Sequence, residues 1–114
     1  MRWSKLPKLP SKTKLVKDIK VADGRICLRF EGFHRGETEI QRENITALHI
    51  ARVPSLCDEL GIWITTHETY CLVETDPGAR ELFSFLRLNE LFGKNWYIEA
   101  EQGRVFAWQG SLQD

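Results

Sequence analysis

The chain has 114 residues, of which 42% are hydrophobic and 28% are charged, and its 16 Lys and Arg balance its 16 Asp and Glu. These values indicate one globular domain with a single core and argue against a disordered or membrane class. Residues 1–30 nevertheless carry nine basic side chains against two acidic ones, whereas residues 31–114 carry seven against 14. Such an asymmetry bears on partners and solubility and does not specify fold or chemistry.

Residues 1–17 are predicted to form a basic arm ahead of a folded domain that spans residues 18–114. The arm has no acid and contains two Leu-Pro pairs, which disfavour helix and favour an extended chain. Dispersed lysines and one indole ring are suited to contact with phosphates of nucleic acid or an anionic membrane surface. The candidate polyanion-binding residues are Arg2, Trp3, Lys5, Lys8, Lys12, Lys14, Lys17 and Lys20.

The acidic residues within 31–114 offer the basic arm another surface to which it could bind. Because 14 acidic side chains follow the basic start, the arm could lie against its own domain or against a neighbouring copy. We take this self-complementarity as the favoured interpretation and polyanion binding as the alternative.

Residues 18–22 and 25–33 are predicted to form a β-hairpin around Asp23-Gly24. A two-residue Asp-Gly loop between apolar runs supplies the positive φ angles of a type I′ turn. The second arm alternates with a period of two, which is typical of a half-buried strand. The predicted core side of this strand consists of Ile26, Leu28 and Phe30.

Two more strands are predicted at residues 38–42 and 45–53. The longer one is apolar on both faces, with Leu48 and Ile50 on one side and Ala47 and Ala51 on the other. A strand that is apolar on both faces is typical of a central position in a sheet.

A loop and a second hairpin are predicted between residues 53 and 74. The loop over residues 53–60 has room for one helical turn that starts at Pro54. Residues 62–66 and 70–74 are rich in β-branched and aromatic side chains and surround residues 67–69, which favours a hairpin.

One main amphipathic helix is predicted over residues 77–92. Asp76 suits the N-cap, Pro77 the first helical position, and Gly93 the C-terminal stop. The apolar residues of this helix cover more than one stripe, so it is expected either to be unusually buried or to present an interface. The candidate interface residues are Phe83, Leu88 and Leu91.

The C-terminal segment is predicted to contain a final strand over residues 104–108. The preceding residues 95–101 fit a strand or a short helix equally well, and the sequence leaves both open. The resulting fold class is α+β, with an antiparallel, bent sheet of about five to seven strands, one main helix and a final strand.

This order of strands followed by a helix resembles the small bacterial pleckstrin-homology-like domains. The resemblance covers about residues 18–92 and rests on the second hairpin leading into the helix start at Asp76-Pro77-Gly78. It implies a bent sheet closed by a C-terminal helix and a role as a binding module. The Lys20, Arg25 and Arg29 side chains of the first hairpin match the basic character of the lipid-binding members, but their Arg-x-Arg cluster is absent.

The sequence contains none of the common catalytic motifs in which the chemistry sets the spacing of the residues. It contains no phosphate-binding glycine pattern, no Gly-x-Ser-x-Gly elbow and no His-Glu-x-x-His. His67 and Cys71 with Cys57 are zinc-compatible ligand types, yet they lack a fourth ligand. These residues and His49 could also form a nucleophilic Cys-His pair, but any chain with three cysteines and three histidines would allow that guess. We therefore expect no enzyme, metal or cofactor.

The cysteines and the apolar runs bear on cellular location. Three widely spaced cysteines, Cys27, Cys57 and Cys71, argue against the paired disulfides of small secreted proteins. No apolar run approaches the ~20 residues that span a bilayer, and the start lacks a signal-peptide core. The sequence therefore predicts a cytoplasmic protein with reduced thiols, of which Cys27 and Cys71 act as small buried hydrophobes within strands.

The combined prediction is a non-catalytic protein-interaction module. We expect a protein partner or self-association, with a nucleic-acid or anionic-membrane surface as the alternative partner through the basic arm. The chemistry of the residues does not identify the partner.

Overall fold

The computed structural model of the chain describes residues 13–30, 36–53 and 59–110. This part of the chain consists of seven strands, three short α-helices and one short 3-10 turn, which confirms the α+β class. The strands are β1 (Thr13–Ala22), β2 (Arg25–Phe30), β3 (Gly36–Gln41), β4 (Ala47–Val53), β5 (Glu59–Thr65), β6 (Thr69–Val73) and β7 (Phe106–Gln109). The helices are α1 (Ala79–Leu86), α2 (Leu88–Phe92) and α3 (Trp96–Glu101).

The strands form one sheet in the order β3-β2-β1-β6-β5-β4-β7. All neighbouring pairs are antiparallel except β1 and β6, which run parallel. Residues 13–15 of β1 pair with β6, the rest of β1 pairs with β2, and the register with β2 shifts between Val16 and Asp18. The prediction of a purely antiparallel sheet is therefore wrong at this junction, because one continuous strand changes its partner.

The first hairpin confirms the sequence prediction. Asp23 and Gly24 both have positive φ angles, of 53° and 75°, as the predicted turn requires. Ile26, Leu28 and Phe30 are buried on the core side of β2. β1 begins at Thr13, ahead of the predicted boundary between arm and domain, so part of the proposed arm belongs to the sheet.

The central strands agree with the predicted pattern. β4 lies between β5 and β7, and its consecutive residues His49, Ile50 and Ala51 are all buried, which confirms that both faces are covered. β5 and β6 form the predicted second hairpin, although β5 already begins at Glu59. The predicted helical turn at Pro54 lies outside the described residues.

The prediction of one continuous helix over residues 77–92 is wrong. Arg87 interrupts it with left-handed dihedral angles, φ 55° and ψ 51°, so that α1 ends and α2 begins on either side of this residue. The Arg87 amide donates to the Ser84 carbonyl at 3.1 Å, a bond typical of a left-handed helix end. Arginine is a good helix former, so its intrinsic propensity gives no sign of the break.

The start of α1 also differs from the prediction. Gly78, with φ 88°, is the N-cap, whereas Asp76 Oδ2 accepts a hydrogen bond from the Val73 amide at 2.9 Å. A Cβ atom at Gly78 would lie 2.0 Å from the Ile19 carbonyl oxygen. The Ile19 amide donates to the Pro77 carbonyl at 2.9 Å. Glycine therefore allows the turn between β6 and α1 to pack directly on β1.

The C-terminal elements return the chain to the sheet. Gly93 ends α2 as predicted, residues 95–101 contain α3, and the predicted final strand is β7, which pairs with β4. Arg52 Nη1 of β4 donates to the Glu101 carbonyl at 3.1 Å and so holds the end of α3 against the sheet.

One core cluster joins both parts of the sheet to the helices. The rings of Phe30 and Tyr70 stack at 5.7 Å across β1, and α1 adds Ala79, Leu82 and Leu86 from one face. None of the helices in the described ranges is long and apolar enough to cross a membrane. The largest fully buried side chains are Ile26, Leu28, Ile45, Leu48, Ile50, Leu60, Ile62, Ile64, Leu72, Leu82, Leu86 and Leu88.

Candidate functional site

A groove lies where the three helices meet the end of β6. It consists of two adjoining recesses of about 280 and 350 Å³, which share Phe83, Asn89 and Trp96, and we call them together the helical groove. The first recess is also lined by Glu74, Thr75, Arg80 and Tyr97. The second is also lined by Ser84, Arg87, Leu88 and Glu90.

Three aromatic rings form one wall of the helical groove. The Trp96 ring lies edge-on to Phe83 at 5.5 Å and 88°, and edge-on to Tyr97 at 5.6 Å and 87°. Trp96 Nε1 donates to Asn89 Oδ1 at 2.8 Å, and Trp96 is only 4% exposed. Phe83 and Tyr97 are half-buried, so parts of their rings stay accessible. The wall is therefore formed before any ligand arrives.

Glu74 supplies a carboxylate to the first recess. Its position is fixed by the main chain, because its amide donates to the Leu60 carbonyl at 3.0 Å directly after β6. The side chain is half-buried, and Oε2 is a buried atom that has no hydrogen-bond partner among the described residues. Leaving a buried polar atom without a partner costs about 1–3 kcal/mol. A donor that enters the recess would remove part of this cost.

The charges around Tyr97 are predominantly negative. Burial raises the pKa of the Tyr97 phenol above its ordinary value. The Glu74 carboxylate raises this pKa further through its charge and a side-chain hydrogen bond, and the Glu101 charge adds to the effect. Arg80 lowers the same pKa, but its effect is the smallest of these. Across the described ranges, no ion pair within 4 Å includes any of these three charged side chains. The recess is therefore an environment that favours positive charge.

The second recess contains charges that are already paired. Arg87 Nε lies 3.7 Å from Glu90 Oε2, and both side chains are largely exposed. This ion pair lines the recess together with the apolar side chains of Leu88 and Phe83. The second recess therefore extends the groove without adding an unpaired charge.

The three predicted interface residues occupy different environments. Phe83 lines both recesses, Leu91 is half-buried against the core, and Leu88 is 1% exposed. Because the break at Arg87 turns the start of α2 inward, Leu88 belongs to the core and not to an open interface. Leu91 lines neither recess.

The predicted polyanion-binding residues lie for the most part outside the described residues. Lys17 and Lys20 are exposed on β1, and the Lys14 backbone pairs with β6. The placements of Arg2, Trp3, Lys5, Lys8 and Lys12 fall outside the described ranges. No cluster of these side chains is therefore defined, and polyanion binding by the arm stays a prediction.

The arginines of the first hairpin are paired with acids of the same sheet. Arg25 Nη1 lies 2.8 Å from Glu39 Oε1, and Arg29 Nη2 lies 3.3 Å from Asp18 Oδ2. Both pairs are about half exposed, so each contributes little to the free energy of unfolding. The two arginines of this hairpin are thus balanced by one acid of β1 and one of β3.

The candidate Cys-His chemistry is separated in space. His49, Trp63 and Cys71 lie side by side on β4, β5 and β6, with the Trp63 residue between the other two. Burial, and then the nearby Asp76 charge, raises the pKa of the Cys71 thiol to about 11, so this thiol is not a ready nucleophile. Cys71 is buried as predicted, whereas Cys27 is half-buried, with Sγ 3.9 Å from Glu39 Oε2. Cys57 lies outside the described ranges.

Neither a metal cluster nor a relative identifies the site. The described residues contain no group of three or more His, Cys, Asp or Glu side chains that could hold a metal ion. Comparisons with family models, curated proteins and solved structures return no match. The resemblance to pleckstrin-homology-like domains therefore stays a prediction.

Sequence reasoning did not select Glu74 or Asn89 as site residues. The sequence places Glu74 at the end of a predicted strand and Asn89 within the predicted helix. Glu74 and Asn89 line the same recess because the helix breaks at Arg87 and α2 turns toward α3. A clustering of aromatics in residues 83–97 was the one available signal, and it also fits a filled core.

Proposed function

We propose that this chain is a non-catalytic binding module whose helical groove receives a segment of a protein partner. The observation that supports this proposal is the preformed wall of Phe83, Trp96 and Tyr97 beside an unsatisfied Glu74 oxygen. Aromatic side chains are enriched at the centres of binding surfaces because they bury much area at little entropic cost. A role as a binding module also agrees with the resemblance to small bacterial pleckstrin-homology-like domains.

The groups in the groove favour recognition over catalysis. Its polar side chains carry amide, hydroxyl, carboxylate and guanidinium groups, which bind and orient a ligand. The thiol with the raised pKa and the buried His49 imidazole both lie on β-strands and do not line the groove. We therefore assign the groove to binding and carry over the cytoplasmic location as a proposal.

A peptide selection tests this function directly. Peptides from a random library are selected on the native full chain, and their affinities are measured for two variants of α1. Ser84→Trp places a bulky ring at the rim of the second recess, and Glu81→Trp places the same ring on an exposed position outside both recesses. We expect binding to Ser84→Trp to fall by about tenfold or more, as for a blocked central site.

The Glu81→Trp variant is the control that shows whether a loss of binding is specific to the groove. Glu81→Trp should bind the selected peptides as the native chain does, because its ring lies outside the groove. Recovery of no binding peptide, or of peptides that bind Ser84→Trp at full strength, would contradict the proposal.

A further inference from the structure

The first recess places the Glu74 carboxylate, with one oxygen that has no partner among the described residues, beside aromatic rings. Glu74 and Glu101 act on Tyr97 against the single charge of Arg80. The Trp96 indole N–H is already bound to Asn89, so the recess presents ring surface and not a free indole donor. Surfaces of this kind are complementary to a cation that has an apolar stem.

We propose that the helical groove recognises a cationic side chain of its partner, an ammonium or guanidinium group, which contacts the Glu74 carboxylate while its aliphatic stem packs against Phe83 and Tyr97. This inference rests on the proposed function and specifies its ligand. The charged head supplies a hydrogen-bond donor to Glu74 Oε2, which has no partner among the described residues, and the stem covers the accessible parts of the rings.

The unsatisfied oxygen is the strongest reason to expect a cation. An anionic or purely apolar ligand would bury the Glu74 carboxylate further and leave Oε2 without a partner. A cation instead forms charge-assisted hydrogen bonds, which are stronger than neutral ones. Movement of the half-buried Glu74 side chain toward the ligand would bring Oε2 within reach, and the side chain would keep or exchange its hydrogen bond with the Tyr97 phenol.

The aromatic wall adds selectivity for a cation over a neutral isostere. Ring faces attract ammonium and guanidinium groups, by about two- to fivefold in affinity at exposed sites. The Tyr97 phenol lies near enough to Glu74, Glu101 and Arg80 for its pKa to respond to their charges. Trp96 contributes by fixing the ring positions of its two neighbours.

Three small probes with one backbone test the inference. Nα-acetyl-lysine N-methylamide, its norleucine analogue and its glutamate analogue are titrated into the isotope-labelled full chain, and the Trp96 indole resonance is followed. We expect the lysine probe to shift this resonance and to bind about tenfold more tightly than norleucine. Glu74→Gln should remove that advantage, whereas Glu81→Gln, on an exposed α1 position outside the groove, should preserve it.

The outcomes separate this inference from the proposed function. Equal or tighter binding of norleucine or of glutamate would overturn the cation inference, and so would the absence of a lysine-induced shift. In each case the peptide selection with Ser84→Trp still decides whether the groove is a binding site. A lysine advantage that survives Glu74→Gln would also overturn the assignment, since the carboxylate would then not be the recognising group.

Discussion

The outer face of the first hairpin and the helical groove both carry charges, but they satisfy them differently. On the hairpin, Arg25 and Arg29 each meet an acid of the sheet within 3.3 Å. In the groove, Glu74 keeps a buried oxygen without a partner among the described residues. The net charge of a segment is therefore a poor guide to a site, because both hairpin arginines are paired within the sheet, whereas the Glu74 carboxylate in the groove is only partly satisfied.

The largest effect is expected at Gly78, where the turn before α1 packs on β1 of the first hairpin. Gly78→Ala should cost about 3 kcal/mol in the free energy of unfolding, because it combines left-handed strain with a clash against the Ile19 carbonyl. Urea unfolding measures the loss. Gly24→Ala is the matched control, since Gly24 also has a positive φ but no atom within 4 Å of the added Cβ. Similar losses in both variants would show that the close packing at Gly78 is unimportant.

His49 is a buried polar group that lies outside the groove and also lacks hydrogen-bond partners among the described residues. Both of its ring nitrogens are buried without a partner in the described part of the chain, and the ring lies edge-on to Trp63 at 5.5 Å. Burial lowers the pKa of His49 below its ordinary 6.5, so the unfolded chain binds the proton more readily than the folded one. Stability should therefore fall as the pH drops through 6.5.

The variant His49→Leu should flatten this pH dependence. Free energies of unfolding at a series of pH values from neutral to mildly acidic measure the slope. His67→Leu, at an exposed position in the turn between β5 and β6, should leave the slope in place. An unchanged slope in His49→Leu would mean that another group causes the acid sensitivity.

The Tyr97 phenol reports on the groove without any ligand. The chain has two tyrosines, so Tyr70→Phe leaves Tyr97 as the single phenol. In this background Glu74→Gln should lower the pKa of Tyr97 toward its ordinary 10.0, because a neighbouring negative charge is removed. The ultraviolet absorbance of the phenolate follows the titration. Glu81→Gln is the control, and an equal shift in both variants would place Glu74 away from the phenol.

The smallest effect is expected on the balanced hairpin. Arg25→Gln should change the free energy of unfolding by about 0.5 kcal/mol or less, since its pair with Glu39 is about half exposed. It should leave binding of the lysine probe unchanged. Chemical unfolding and the same titration measure both quantities. A large loss of probe binding would show that the hairpin, and not the groove, contains the site.

Much of the sheet could be predicted because its signals are local. The Asp23-Gly24 turn and the alternation in β2 depend on neighbouring residues only, and both predictions are confirmed. The parallel pairing of β1 with β6 depends on contacts distant in sequence and left no local signal. The break at Arg87 is similar, since tertiary packing overrides a good helix propensity.

The site was harder to predict than the fold for the same reason. Phe83 was selected because the apolar residues of the predicted helix cover more than one stripe, and it lines the groove. Leu88 was selected by the same argument and is buried, because the periodicity of one straight helix does not apply after the break. Glu74 could not be selected, since its unsatisfied oxygen is a property of the folded packing.

The most direct test of the account is a double-mutant cycle between the probe ammonium and the Glu74 carboxylate. Affinities of the lysine and norleucine probes are measured for the native chain and for Glu74→Gln, which gives the coupling of the two charged groups. The account predicts that the preference for lysine, about tenfold in the native chain, disappears in the variant. An equal preference in both chains would contradict the claim that Glu74 recognises a cation.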